Sequence, residues 1–69
     1  MTADEMFEEL GYKKEEANFG CDETEYIRYD DGETYIEFMM ASEYITIDNI
    51  ISIRELKAIN TKVKELGWE

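Results

Sequence analysis

Apolar residues recur along this chain with two different periods, and each period points to a different kind of element. Near the start, Ala3, Met6, Phe7 and Leu10 fall at the spacing of one helical face. Near the end, Ile53, Leu56, Ile59, Val63 and Leu66 repeat that spacing over a longer stretch. Between them, residues 24–49 alternate apolar and polar, the period of strands that bury one face. The pattern predicts a helix, an antiparallel sheet and a second helix.

The two helices carry matching start and stop signals. Thr2 and Glu5 form a capping box, with the hydroxyl accepting from the Glu5 N–H and the carboxylate reaching back to the Thr2 N–H. Ser52 and Glu55 repeat it. Met1 with Met6, and Ile51 with Leu56, are placed as hydrophobic staples around those caps. Gly11 and Gly67 supply the left-handed residue that ends a helix. Tyr12 and Trp68 follow them, placed to fold back on Phe7 and Val63.

The strands are separated by turn signals. Asp31-Gly32 suits a two-residue type I′ loop, which sets Tyr29 opposite Thr34, Ile27 opposite Ile36, and Arg28 opposite Tyr35. A second hairpin across Ala41-Ser42 or Ser42-Glu43 brings Phe38 and Met40 beside Ile45 and Ile47. Either loop keeps Ile27, Tyr29, Ile36, Phe38, Met40, Ile45 and Ile47 on one face, the expected core face. Residues 12–16 offer an additional edge strand, whose Lys13, Lys14, Glu15 and Glu16 discourage edge-to-edge aggregation. Residues 17–23 read as a loop with Phe19 tucked beneath it. The expected fold is a single small α+β domain over residues 1–69. It has two layers: an N-terminal helix, a three- or four-stranded antiparallel meander and a C-terminal helix, with both helices on one sheet face.

Charge tests whether such a chain folds at all. Eighteen acids against seven bases leave a net charge of −11 over 69 residues. Leu, Ile, Val and Phe number fifteen, just above the level at which highly charged chains stay disordered. The clean periodicity, five tyrosines, four methionines and absence of proline favour a folded domain. The charge is uneven: residues 1–51 hold fifteen acids and three bases, while residues 52–69 hold three acids and four bases. No apolar run has the length of a membrane span, and no basic-then-apolar leader opens the chain, so neither membrane nor secretion is expected.

The parity opposite the core face reads Tyr26, Arg28, Tyr35, Glu37, Met39, Tyr44, Thr46 and Asp48. Strand propensity and cross-strand pairing account for tyrosines and threonine at such positions. Tyr, Met and Arg are also enriched in the centres of protein interfaces. Tyr26, Arg28, Tyr35, Glu37, Met39 and Tyr44 are therefore the candidate protein-binding face, for a foreign partner or for a homodimer.

Candidate chemistry is sparse. With no histidine and one cysteine, Cys/His zinc sites and His-assisted nucleophiles have no residues to draw on. Cys21 lies between Gly20 and the acids Asp22 and Glu23, whose charge disfavours a thiolate. Asp30-Asp31-Gly32-Glu33 lacks the alternating oxygen ligands of a twelve-residue calcium loop and reads as a hairpin turn. No glycine-rich phosphate loop occurs, and the four cations of the last helix are interleaved with Glu55 and Glu65, a poor surface for nucleic acid. The expectation is no enzyme, no catalytic residue, no cofactor, no metal and no direct nucleic-acid binding.

Two segments carry a family resemblance: Thr2-Ala3-Asp4-Glu5-Met6-Phe7-Glu8-Glu9-Leu10-Gly11-Tyr12, and Glu55-Leu56-Lys57-Ala58-Ile59-Asn60-Thr61-Lys62-Val63-Lys64-Glu65-Leu66-Gly67-Trp68. They resemble short uncharacterised proteins of phages and prophages of Gram-positive bacteria, with the likeness covering about residues 2–14 and 52–68. The resemblance implies a mobile-element origin and a bacterial cytoplasmic setting, and it transfers no catalytic or binding residue. The functional expectation is a non-enzymatic accessory protein that acts by protein–protein binding. The alternative is an acidic mimic of nucleic acid that inhibits a host DNA- or RNA-binding enzyme. Its charge would come from Asp4, Glu8 and Glu9 in the first helix, from Asp22, Glu23 and Glu25, and from Asp30, Asp31 and Glu33.

Overall fold

The computed structural model describes residues 1–18 and 24–68. Helix α1 (Ala3–Glu9) leads into four strands, β1 (Lys13–Asn18), β2 (Thr24–Asp30), β3 (Tyr35–Met39) and β4 (Tyr44–Asp48), and helix α2 (Ile53–Leu66) follows. The strands form one antiparallel sheet in the order β1-β2-β3-β4, a simple meander. Both helices lie on one face of it and pack against each other, giving the expected α+β domain in its four-stranded form. The edge strand starts at Lys13, because Tyr12 is buried in the core instead of joining the sheet. It continues through Ala17 and Asn18, expected in the loop, which pair with Tyr26 and Thr24 across an irregularity in the register. Phe19 and Cys21 lie outside the described residues.

Both capping boxes form, with the Thr2 and Ser52 hydroxyls accepting from the N–H groups of Glu5 and Glu55. Both helices also end as their glycines predict. Gly11 and Gly67 are left-handed, at φ 91° and 74°, and Tyr12 and Trp68 donate their N–H groups to the carbonyls of Phe7 and Val63. That ending aims the two aromatic rings back into the core. Tyr12 meets Phe7 edge-on at 5.6 Å, and Trp68 leans on Phe38 at 6.2 Å. Phe7 is the centre of the cluster: it stacks on Tyr29 at 4.0 Å and stands edge-on to Phe38 at 6.5 Å. Ala3, Ile27, Ile36, Ala58 and Ile59 complete the buried set.

The first hairpin departs from its expected register. Tyr29 pairs with Ile36 and Ile27 with Phe38, two residues away from the pairing a turn at Asp31-Gly32 sets. The cause is aspartate chemistry. Asp31 Oδ1 accepts the N–H groups of Glu33 and Thr34, and Asp30 Oδ1 accepts that of Gly32. With the Asp31 N–H donating to the Thr34 carbonyl, the reversal moves to Gly32-Glu33, and only Gly32 there has positive φ. A type I′ turn needs two such residues. A shift by two preserves parity, so each side chain keeps its face.

The second hairpin adopts the register of the Ala41-Ser42 alternative, with Phe38 opposite Ile45 and Ile36 opposite Ile47. Met40, however, falls in the turn, which closes through the Glu43 N–H on the Met39 carbonyl with Glu43 left-handed.

Helix α2 buries a different stripe from the one its isoleucines suggest. Ala58, Ile59 and Lys62 are buried, and Val63 and Leu66 pack beside them, whereas Ile53 and Leu56 are exposed. Lys62 takes an inward position because its ammonium finds partners there: it lies 5.9 Å from the centre of the Tyr29 ring and reaches Asp4 at 3.6 Å and Glu65 at 3.9 Å. Ile47, also expected in the core, sits on the outermost strand at the margin of the helical layer and stays partly exposed.

Candidate functional site

The sheet face turned away from the helices gathers all six candidate residues. Tyr26 and Arg28 come from β2, Tyr35, Glu37 and Met39 from β3, and Tyr44 from β4. Rows across the strands follow from the register. Glu15, Arg28, Glu37 and Thr46 form the middle row. Ala17, Tyr26, Met39 and Tyr44 lie on one side of it, and Lys13, Asp30, Tyr35 and Asp48 on the other.

Arg28 organises this face. Its Nε and Nη2 both donate to Glu37 Oε2, at 2.9 and 2.6 Å. Donating these hydrogen bonds to Glu37, together with that carboxylate's charge, raises the guanidinium pKa above its ordinary value. The same guanidinium lies 5.5 Å from the Tyr26 ring and 4.8 Å from the Tyr35 ring, so it is flanked by two aromatic faces. The ladder explains the fit. The Met40 N–H bonds the Glu25 carbonyl and the Asp31 N–H bonds the Thr34 carbonyl, so the hydrogen-bonded pairs of β2 and β3 are those of the buried parity. Arg28 and Glu37 are then a non-hydrogen-bonded pair, the kind in which opposed side chains approach most closely.

Sequence spacing brought these six residues to one face, since parity survives a slip of two. It did not find the Arg28–Glu37 pair, because the expected loop set Arg28 opposite Tyr35. Tyr35 is instead the diagonal neighbour, still within reach of the cation. The readable signal for the true register was the pair Asp30-Asp31, whose side chains can each cap a turn. The face is graded in exposure: Tyr26, Arg28, Tyr35, Glu37 and Met39 are half-buried among one another, and Tyr44 on the outer strand is 72 % exposed.

The acids of the alternative reading are differently disposed. Asp4 accepts from the Tyr29 hydroxyl at 2.5 Å and from Lys14 at 3.0 Å, with Lys62 nearby. Partial burial of Asp4 works against its charge, but these partners outweigh it and hold its pKa below the ordinary value. Backbone N–H bonds from Thr34 and Glu33 lower that of Asp31. The Tyr12 hydroxyl, donating to Glu55, lowers that carboxyl in turn. Asp4, Asp30 and Asp31 therefore have structural duties, while Glu8, Glu9 and Glu33 stand free at the surface. Asp22 and Glu23 lie outside the described residues.

Among the described residues, no group of three or more Cys, Asp or Glu side chains is placed to hold a metal ion, and no helix is long and apolar enough to cross a membrane. Between the helices runs a shallow groove of about 220 Å³, lined by Met1, Met6, Glu9, Leu10, Arg54 and Lys57. Set against known proteins, the chain matches no family model, no curated protein and no solved structure.

Proposed function

We infer that this chain is a non-enzymatic accessory module of phage or prophage type, working in the bacterial cytoplasm by binding another protein through its outer sheet face. One observation carries the reading: a guanidinium held by a carboxylate between two tyrosine rings, on a sheet face that neither helix covers. Such a face is rigid before it meets a partner, so little side-chain freedom is lost on docking. It also offers the residue types that dominate binding energy at interfaces.

The test is affinity capture from a Gram-positive host lysate with the wild-type chain beside Arg28→Ala and Tyr35→Ala. The reading expects a protein that the wild type retains and both variants lose, while far-UV circular dichroism stays unchanged. Equal capture by all three proteins would overturn it. The nucleic-acid-mimic alternative separates on salt. A mimic displaces duplex DNA from a basic enzyme and weakens as salt rises, whereas binding through the tyrosine face persists at about 0.5 M salt, where the screening length is only a few ångströms.

A further inference from the structure

The two edges of the sheet are protected very differently. β1 carries Lys13, Lys14, Glu15 and Glu16, and Lys14 bridges Asp4 and Glu16. That is how a protein keeps an edge strand from recruiting another chain. β4 reads Tyr-Ile-Thr-Ile-Asp, with no lysine and no proline. Its free side is defined by the ladder. Since β2 and β3 exchange bonds through the buried parity, β3 turns Tyr35, Glu37 and Met39 toward β4, and they meet Asp48, Thr46 and Tyr44. The N–H and C=O groups of Ile45 and Ile47 consequently point outward, away from the sheet.

We propose that the free edge of β4 is the docking site for a second copy of this chain, the two β4 strands pairing antiparallel about a two-fold axis at Thr46 to make one eight-stranded sheet. The strand complements itself in that register. Thr46 meets Thr46, Ile45 of one copy meets Ile47 of the other, Tyr44 meets Asp48, and Glu43 meets Asn49. No like charges are opposed, and the Tyr44 hydroxyl and Asn49 amide can each donate to the facing carboxylate. The paired residues Ile45 and Ile47 are the ones whose backbone groups are free, so hydrogen bonds and side-chain faces agree at once. The segment is bounded by two left-handed residues, Glu43 at φ 57° and Asn49 at φ 87°, each three positions from Thr46. Sliding the register by two shortens the ladder and opposes Ile47 to Glu43 or Ile45 to Asn49.

The surroundings of this edge favour the same occupant. Ile47, Ile50, Ile53 and Leu56 are 40, 90, 67 and 42 % exposed, a concentration of apolar surface on the last strand, its exit and the start of α2. Arg54 lines the groove shared with α1, and Ala58 one turn further is fully buried, so Leu56 midway between them lies on the flank turned from α1. A two-fold axis perpendicular to the sheet sets the helical layers of both copies on the same side, so these flanks face each other across the new seam. Edge pairing leaves the outer face open, and the proposal stands independently of the function inferred above.

Light scattering over a dilution series of the wild-type chain, from about 500 µM to about 5 µM, gives the first readout, since a reversible dimer dissociates by mass action. The expected mass at the upper end is twice that of the monomer. Raising salt from about 20 mM to about 500 mM is expected to strengthen association, because two copies of net charge −11 repel until screened. Ile50→Lys and Ile47→Lys each relieve that repulsion, yet each is expected to weaken dimerisation at least tenfold, while Tyr35→Ala leaves it unchanged. Amide exchange gives a readout that needs no variant. The Ile45 and Ile47 N–H groups gain protection as concentration rises, with Thr46 protected throughout. A monomer at 500 µM in high salt overturns the proposal. So does a dimer whose Ile45 and Ile47 amides exchange freely, and so does a dimer that survives Ile47→Lys but is lost on Tyr35→Ala.

Discussion

The two faces of the sheet both use tyrosine beside charge, yet they use it in opposite ways. On the inner side, Tyr29 of β2 and Tyr12, which follows α1, are buried, stack or stand edge-on against Phe7, and donate their hydroxyls to Asp4 and Glu55 respectively. Burial, before those carboxylates, pushes both phenol pKa values well up, so both rings stay neutral donors. On the outer face, Tyr26 and Tyr35 remain half-exposed and present their π faces to Arg28. Inside, tyrosine is a large apolar body with one polar tip satisfied; outside, it is a platform for a cation. The inner arrangement holds the domain together. The outer one is only half-buried and lies on a face that neither helix covers.

The largest effect that separates the two faces comes from Phe7→Ala. Phe7 is fully buried at the meeting point of three aromatic rings, so the variant is expected to lose about 3–5 kcal/mol. A domain of this length has roughly 3–10 kcal/mol in total, so urea denaturation followed by circular dichroism should find the variant largely unfolded or close to it. A loss no greater than that of an outer-face variant would erase the contrast.

Tyr29→Phe is a finer test, since it keeps the ring stack and removes only the hydroxyl. The expected loss is about 1–2 kcal/mol, the range for a hydrogen bond to a charged group that is partly solvated, read as a lower urea midpoint at neutral pH.

Acid titration asks the same question without substitution. Asp4, Asp31 and Glu55 have folded-state pKa values below their ordinary 3.8, 3.8 and 4.5. Their stabilisation is therefore complete above those ordinary values and is lost as pH falls through the depressed ones. The urea midpoint should hold from pH 7 to about 5 and decline below about 4.5, with a shallower decline in Tyr29→Phe, whose Asp4 lacks the phenol donor.

The smallest stability effect is expected on the outer face. Arg28→Ala removes one partly exposed ion pair and two cation–π contacts, all open to screening by solvent and salt, so its effect on folding is expected to be the smallest of the set. The melting temperature should move by only a few degrees while partner capture is lost. A large drop in stability would mean that Arg28 is a folding residue, and the outer face would then have no separate role.

Much of this architecture was legible because its signals are local. A capping box joins residues three apart, a glycine ending joins residues five apart, and strand parity needs only alternation. Helix ends, the order of elements, the four inner-face residues Ile27, Tyr29, Ile36 and Phe38, and the membership of the outer face all followed from such short-range rules. The residues of the candidate face were likewise readable, but their mutual contacts were not.

What only the tertiary structure decided involves partners distant in the chain or a choice between equivalent patterns. The hairpin register turned on whether Asp30 and Asp31 would cap the turn with their own side chains, a competition that alternation cannot rank because both registers share parity. Glu65 accepts the N–H of Ala3 at 2.8 Å, closing the start of α1 from across the molecule. Lys62 displaced Ile53 and Leu56 from the inward side of α2 because Asp4 and Tyr29 await it there. A helix with apolar residues around more than half its circumference can settle several ways on a sheet, and hydrophobicity alone is blind to a buried cation with a satisfied head. Capping and alternation determined the order and kind of the elements and which side of the sheet the side chains of β2, β3 and β4 take, while the bounds of β1 and the place of Met40 fell outside their reach. The docking of α2, and with it the apolar flank left beside β4, was chosen by contacts that exist only once the sheet and both helices have met.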